Sequence, residues 1–399
     1  MRDFGAKGDG VTDDTVAFQH ALDSMGSAGG GTVVAPRGSY FFKGTLNVPA
    51  AVTLAGIWQS IPAHNGIRDA GLPKPGEDGT TFMVTAGRGD ESSPPFVTLN
   101  TNSTLKGVVV WYPEQKPDET PVAYPYAVAM RGKNPAILDC ELLNPYNAID
   151  ATLNERHLIR NIQGQPLRRG VIVDEIYDVG RLENVHFNPW WSMKPKVMQF
   201  EMEHGEAFIF MRSDWEYVFN TFCFGYNAGY HFVGKPNGGT NGNFLGIGAD
   251  NCYTSVQVDE CAFTALLITN GEFTAFKGPN PTMVRVSEKN RGTVRFVNCA
   301  FWGPCHQIAQ VAGGTTGFSD CTFCQWDGNH KNTPAIQATG GSLIVRGCEF
   351  QLALPQVSLS EKVTRAVITG NIFTGKTQID NQSKGSVMIA DNAEGPGNR

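Results

Sequence analysis

Phe296-Val297-Asn298-Cys299-Ala300-Phe301 is answered by Phe318-Ser319-Asp320-Cys321-Thr322-Phe323. Val345-Arg346-Gly347-Cys348-Glu349-Phe350 and Ile368-Thr369-Gly370-Asn371-Ile372-Phe373 continue the series. The Cys or Asn of each copy follows the last by 22, 27 and 23 residues. Weaker copies stand at Leu138-Asp139-Cys140-Glu141-Leu142 and Leu182-Glu183-Asn184-Val185-His186-Phe187. A period of about 20–30 residues built from short strands marks a parallel β-helix. Equivalent side chains are then neighbours. Cys299, Cys321 and Cys348 are expected to be reduced, stacked in the core as small hydrophobes. Asn and Asp at the bends are expected to form ladders along the stack.

Composition agrees. The chain has 399 residues, with 46 Gly, 24 Phe and only 18% charged residues, against about 25% in an average domain. This is β structure with many turns, not a helical bundle. The nine Cys cannot all pair internally, and Cys321-x-x-Cys324 has no second ligand pair at metal spacing, so buried free thiols are the reading. A net charge of −6 argues against a nucleic-acid partner. No apolar run reaches the ~18 residues of a membrane span, so no membrane partner is expected. No signal peptide is visible at Met1-Arg2-Asp3.

The first residues add a cap. Thr12-Asp13-Asp14-Thr15 reads as a helix start, and Phe18, Ala21, Leu22 and Met25 follow at helical spacing. A helix near 13–25 ahead of a long β chain is expected to cover the open end of a sheet. Thr32-Val33-Val34 and Ser39-Tyr40 then read as strands around a turn. Residues 58–96, rich in Gly, Pro and charge, read as a long loop.

Asp3-Phe4-Gly5-Ala6-Lys7-Gly8-Asp9-Gly10-Val11-Thr12-Asp13-Asp14-Thr15 resembles the N-terminal signature of the pectate lyase/polygalacturonase-like superfamily. Gly30-Gly31-Thr32-Val33, Pro36-Arg37-Gly38-Ser39-Tyr40 and Leu46 to Gly56 extend the likeness. The resemblance implies an all-β fold, a single right-handed parallel β-helix solenoid with an N-terminal capping α-helix. One domain over 1–399 is expected: cap and first rungs in 1–57, the remaining rungs and long loops in 58–399. It also implies a carbohydrate substrate and secreted or periplasmic action. It opens hydrolases, lyases, epimerases and phage tailspikes alike. Gly-His-Gly and Arg-Ile-Lys are missing, and the only Asp-Asp lies at the helix start, so the polygalacturonase mechanism is not expected.

Strands after each Cys-x-Phe copy bring acids forward. Aligned on the repeat, Asp150, Asp174, Asp214, His231 and Asp259 fall near one column, and later rungs turn bland at Gln310 and Gln337. Glycoside hydrolysis needs two carboxylates, about 5 Å apart for retention and about 9.5 Å for inversion. Rungs stack at about 4.8 Å, so adjacent and next-adjacent rungs supply these spacings. The candidate catalytic residues are therefore Asp214 as a desolvated general acid, Asp174 or Asp150 as base or nucleophile, with Glu216 and Glu175 beside them. Trp190, Trp191, Trp215, Arg212 and His231 are the candidate substrate contacts. Asp250, Glu272 and Asp327 are outside candidates. No cofactor is expected for a hydrolase, and Ca²⁺ for a lyase. Polysaccharide lyase, transferase or epimerase activity, and a non-catalytic spike or adhesin, are the alternatives to hydrolysis. A homotrimer with the Trp-rich stretch 186–216 at its contact is a further expectation.

Overall fold

The computed structural model describes residues 1–64, 74–276, 278 and 280–396. By contacts the chain divides into two compact units, Met1–Ile209 and Phe210–Arg399. In each, short parallel strands coil as a β-solenoid.

The first unit opens on helix α1, Thr15–Ser27, whose Phe18, Ala21 and Leu22 are buried. The helix starts two residues later than the sequence pattern gives. Asp9–Asp13 is instead a strand in parallel with Gly38–Phe42. Asp14 stands at the N-cap position without a side-chain cap bond, while Asp13 Oδ1 accepts from Thr15 N at 3.1 Å. Asp14 turns away and accepts from Lys7 N at 2.7 Å and Gly8 N at 3.1 Å. From Gly38–Phe42 the stack continues through Thr80–Val84 and Val109–Trp111 to Ala136–Leu142, Leu158–Gly164 and Arg181–Phe187. Residues 58–96 are thus not one loop, because Thr80–Val84 is a rung strand between Phe41 and Trp111 neighbours. A second face stacks Leu46–Val48, Val97–Leu99, Tyr126–Met130, Asn147–Thr152 and Arg169–Asp174. The excursion after Phe187 contains a second helix, α2, Pro195–His204, with Pro at its first turn where the missing N–H costs nothing.

The second unit repeats two parallel stacks. One runs Glu216–Phe224, Gly242–Leu245, Leu266–Thr269, Thr293–Val297, Thr315–Ser319, Gly341–Arg346, Val363–Thr369 and Ser386–Ala390. The other runs Ala228–Phe232, Thr254–Val258, Thr282–Val286, Gln307–Val311, Ile336–Ala338, Val357–Leu359 and Ile379–Asn381.

The repeat read from the sequence is the core of this unit. Phe301, Phe323, Phe350 and Phe373 are register partners and fully buried. Phe296 stacks on Phe318 at 5.1 Å and 8°. The bend residues Asn298, Asp320, Gly347 and Gly370 all have positive φ, the conformation Asn, Asp and Gly tolerate best. The side-chain ladders form: Asn298 Nδ2 donates to Asn270 at 2.8 Å, and in the first unit Asn184 to Asn161 at 3.0 Å and Asn161 to Asp139 at 2.7 Å.

All nine Cys are free, and Cys299, Cys321 and Cys348 are buried. Thiol–thiol hydrogen bonding and burial push Cys299 up, and the Cys299–Cys321–Cys348 contacts set the titration of the other two. At the next step Asn371 takes the thiol's place, accepting from Cys348 N at 3.0 Å. Cys321→Ser is expected to cost about 1–3 kcal/mol, since a hydroxyl is buried where a soft thiol stacked. Chemical denaturation reads that loss. Native-state alkylation followed by mass analysis should leave these three thiols unmodified. Among the described residues no helix is long and apolar enough to cross a membrane.

Candidate functional site

In the first unit, Asp150 and Asp174 do not share a column. Asp150 is paired with Ile172 and Asp174 with Thr152, a two-residue offset. Two residues preserve the face of a strand but move a side chain along it, so the turns between rungs absorb a different length than simple alignment assumes. Asp150 is ion-paired with Arg131, whose Nη1 also donates to the carbonyls of Met130, Asp150 and Thr152 at 3.0, 3.2 and 3.1 Å. That fork closes the strand end. Asp174 is buried and its Oδ1 accepts from Glu175 N at 2.9 Å. Glu175 sits at a bend with φ 55° and accepts from Tyr177 Oη at 2.7 Å. Trp190 lies on His186, ring centres 4.6 Å apart, and burial pulls the His186 pKa down. Trp191 is buried among Val109, Leu143, Leu167 and Val197, against Trp111.

In the second unit, Asp214 is not desolvated. Its side chain is 43% exposed, paired with Arg212 Nη2 at 2.9 Å, and it accepts from Asn241 Nδ2 at 3.3 Å. The burial that the sequence reading assumed for Asp214 is therefore absent. Trp215 is exposed on a turn at φ 61°. Glu216 is the reverse case, wholly buried at the start of its strand beside Gly242. Asp327 is a structural clamp: its carboxylate accepts from the N–H groups of Lys331, Asn332 and Thr333 at 2.9–3.0 Å. Burial opposes its charge, but these bonds outweigh it and hold the pKa low. Asp250 ends the strand Gly248–Asp250 and accepts from Thr274 Oγ1 at 2.7 Å, and Glu272 is exposed at a strand start.

What the register does bring together is a ribbon. His231, Gln257, Arg285, Gln310 and Gln337 are successive parallel partners. Each is flanked by buried neighbours on its strand, so the five project outward at one height. At about 4.8 Å per rung they form a straight row of hydrogen-bonding groups. Gln257, Arg285, Gln310 and Gln337, with Tyr253 and Asp259, line a groove of about 510 Å³. That size suits a ligand of a few rings. Asp259, two residues past the row, reaches back: its Oδ2 is 3.0 Å from His231 Nε2, and its Oδ1 accepts from Gln257 Nε2 at 3.3 Å. The His231 hydrogen bond holds the Asp259 carboxyl below the usual carboxylate range, against its partial burial. Arg285 lies over the Tyr253 ring at 5.7 Å and its Nη2 donates to Asn280 O at 2.9 Å and Thr282 Oγ1 at 3.1 Å. Its buried Nε–H has no hydrogen-bond partner among the described residues. Sequence reasoning missed Tyr253, Gln257 and Arg285 and read Gln310 and Gln337 as bland. The available signal was their phase, at steps of 28, 25 and 27 residues. Among the described residues no group of three or more His, Cys, Asp or Glu is placed to hold a metal ion.

The fold is a parallel β-solenoid, and its opening residues are similar to those of pectate lyase-like proteins. Residues 1–107 match the model of the rhamnogalacturonase A/epimerase, pectate lyase-like family. Alginate lyase 7 of Azotobacter vinelandii is 59% identical over 44 residues, which are 11% of this chain and 5% of that protein. Mannuronan C5-epimerase AlgE4 of the same organism is 37% identical over 100 residues, 23% of this chain and 17% of the epimerase. These matches thus span a small part of either relative. Among solved structures, the catalytic unit of the GH87 alpha-1,3-glucanase of Streptomyces thermodiastaticus aligns with a TM-score of 0.51 at 13% identity, covering 95% of this chain and 69% of that one. Bacteriophage phi29 gene product 12 aligns with a TM-score of 0.50 at 13% identity, covering 99% and 55%. These two likenesses carry the fold.

Proposed function

We propose that this chain is a carbohydrate-active enzyme that takes an extended acidic polysaccharide along the His231–Gln337 ribbon and removes the proton beside a uronate carboxyl group. Arg285 is the observation that carries the reading. A groove-lining guanidinium is the charge an acidic glycan would meet, and Gln257 and Gln310 stand on either side of it. Neutralising the carboxylate makes the adjacent C–H acidic. His231 is the base of this reading, its Nε2 held between Asp259 Oδ2 at 3.0 Å and Gln257 Nε2 at 3.1 Å; in the tautomer that donates Nε2–H to Asp259 the lone pair is on Nδ1. The electron pair left on that carbon either expels the neighbouring glycosidic oxygen, forming a C=C bond, or takes a proton back on the opposite face. The first outcome is a lyase and the second an epimerase. The lyase and epimerase names among the Azotobacter relatives support a polyuronate substrate, though the shared segments are short.

Glycoside hydrolysis, with Asp214 as an acid–base carboxylate of the second unit, is the second reading. It is favoured by the accessible Asp214 carboxylate between Arg212 and Asn241. The products separate the two. Incubation with alginate, pectate and neutral glucans, followed by ultraviolet absorbance and mass analysis, should give unsaturated uronates or epimerised residues from an acidic chain. Saturated fragments with one added water each, lost in Asp214→Asn, would replace this reading by hydrolysis. Action on such a polymer places the protein outside the cell or in the periplasm. Assembly into an oligomer would use Tyr217, Phe219, Leu245 and Leu267, large apolar side chains exposed on register-paired strands, with Trp215 exposed just ahead of them. Light scattering near the 43.3 kDa chain mass would remove that assembly.

A further inference from the structure

A second concave surface lies in the first unit, built from different elements. It is a cleft of about 560 Å³. Its floor is Met83 and Trp111, register partners on neighbouring strands, with Ser39 beside them. One wall is the segment Lys74–Glu77. Ser39 Oγ donates to Gly76 O at 3.1 Å, and Gly76 N donates to Thr81 Oγ1 at 3.1 Å, which fixes that wall to the rungs. Pro117 and Trp191 form the other wall. They are tied together from behind by buried side chains. Ser192 Oγ donates to Pro117 O at 3.2 Å, while Ser192 N and O bond the Gln165 amide at 2.8 Å each. Gln165 Nε2 also donates to Glu201 of α2 at 2.9 Å. The indoles are therefore held in place before any ligand arrives.

The polar groups at the mouth are acceptors. Asp9 is the first, and its carboxylate is fixed by Val11 N, Thr12 N and Thr12 Oγ1 at 2.8–2.9 Å. Those bonds hold its pKa down at about 2, so it stays an anion. Glu77 is the second, its Oε2 accepting from Lys74 N at 3.0 Å. Lys74 is the cation that lines the same cleft. The part-exposed Trp111 indole, backed by buried Trp191 and set next to fixed carboxylates, matches a pyranose, whose C–H face is apolar and whose rim is rich in hydroxyl donors. Among the described lining residues two carboxylates stand against one ammonium, which disfavours a uronate.

We infer that this cleft is a binding site for a neutral saccharide, separate from the acidic-glycan groove of the second unit. It shares with the proposed function only the ligand class, carbohydrate.

Isothermal titration with cello-, malto- and manno-oligosaccharides tests it, with oligoguluronate as the charged counterpart. The wild type should bind at least one neutral series. Trp111→Ala should weaken that binding by roughly tenfold or more, the loss of an aromatic anchor. Glu77→Gln, an exposed isosteric change, should weaken it while leaving the thermal transition unmoved, which covers the case where Trp111→Ala unfolds. Arg285→Ala should leave neutral-sugar binding unchanged. No binding of any neutral series, or binding indifferent to both Trp111 and Glu77 variants, overturns the site. Turnover of an acidic polymer without neutral-sugar binding sinks this inference alone. Neutral-sugar binding without turnover sinks the functional reading alone.

Discussion

His231→Gln is expected to lower turnover of an acidic polysaccharide by about 10²–10⁴-fold, the usual contribution of a positioned general base. The glutamine keeps a hydrogen-bonding group near Asp259 but has no basic nitrogen. Its thermal stability should therefore stay close to wild type, which separates chemistry from folding. Arg285→Ala is expected to lower kcat/KM comparably, but the loss should fall on acidic substrates, since the guanidinium answers a carboxylate charge. Arg285→Lys should recover only part, because a point charge replaces a planar fork. Asp259 is a positioning residue, so Asp259→Asn should reduce kcat and shift the pH profile while leaving KM little changed. The sign of its pH dependence follows from its depressed pKa. Its contribution to stability is complete above the ordinary aspartate value and is lost as pH falls through the lower folded value. Activity that survives in both His231→Gln and Arg285→Ala would exclude the ribbon as the reaction centre. The Asp214, Asp174 and Asp150 substitutions would then decide whether hydrolysis replaces it.

The repeat was legible because a solenoid gives each inward position the same surroundings on every rung. Phe350 meets Phe323 and Phe373, and Cys321 meets Cys299 and Cys348, so one solution recurs at each step. Bends were legible for a related reason: a left-handed backbone at Asn298 or Asp320 selects few residue types. Outward positions lack that constraint. Turn lengths vary from rung to rung, so the partner of Asp150 is Ile172, and the acidic column expected from the repeat is two residues out at Asp174. The same slip separated His231 from its strand partner Gln257 and set Asp259 in the column instead. Neutral amides carried no signal singly. Only the register turns Gln257, Gln310 and Gln337 into a row. Helix α2 escaped notice because its buried positions, Val197 and Glu201, include a carboxyl group. Burial raises that group's pKa, an outcome hydrophobic patterning does not register.

Phe18→Ala is expected to cost about 3–5 kcal/mol, the range for removing a buried aromatic side chain. Phe18 is the one large residue of α1 that is wholly enclosed by rings. Tyr40 and Phe42 lie 4.9 Å away and Phe82 5.5 Å, all edge-on. Those partners sit on the two strands Gly38–Phe42 and Thr80–Val84, so the ring joins helix to rungs. Two terms add. The first is the lost burial and the cavity among rings that cannot all collapse inward. The second is the cap: a loosened α1 uncovers the apolar ends of the strands Leu46–Val48 and Val52–Ala55, with which it also packs. A surface change on the same helix, Val16→Ala at an exposed position, should cost a few tenths of a kcal/mol at most. Denaturant titration reads the difference, and Phe18→Ala should also raise light scattering during refolding as strand edges become available for pairing. If Phe18→Ala and Val16→Ala unfold at the same denaturant concentration, α1 is a surface attachment and the rungs hold their own end.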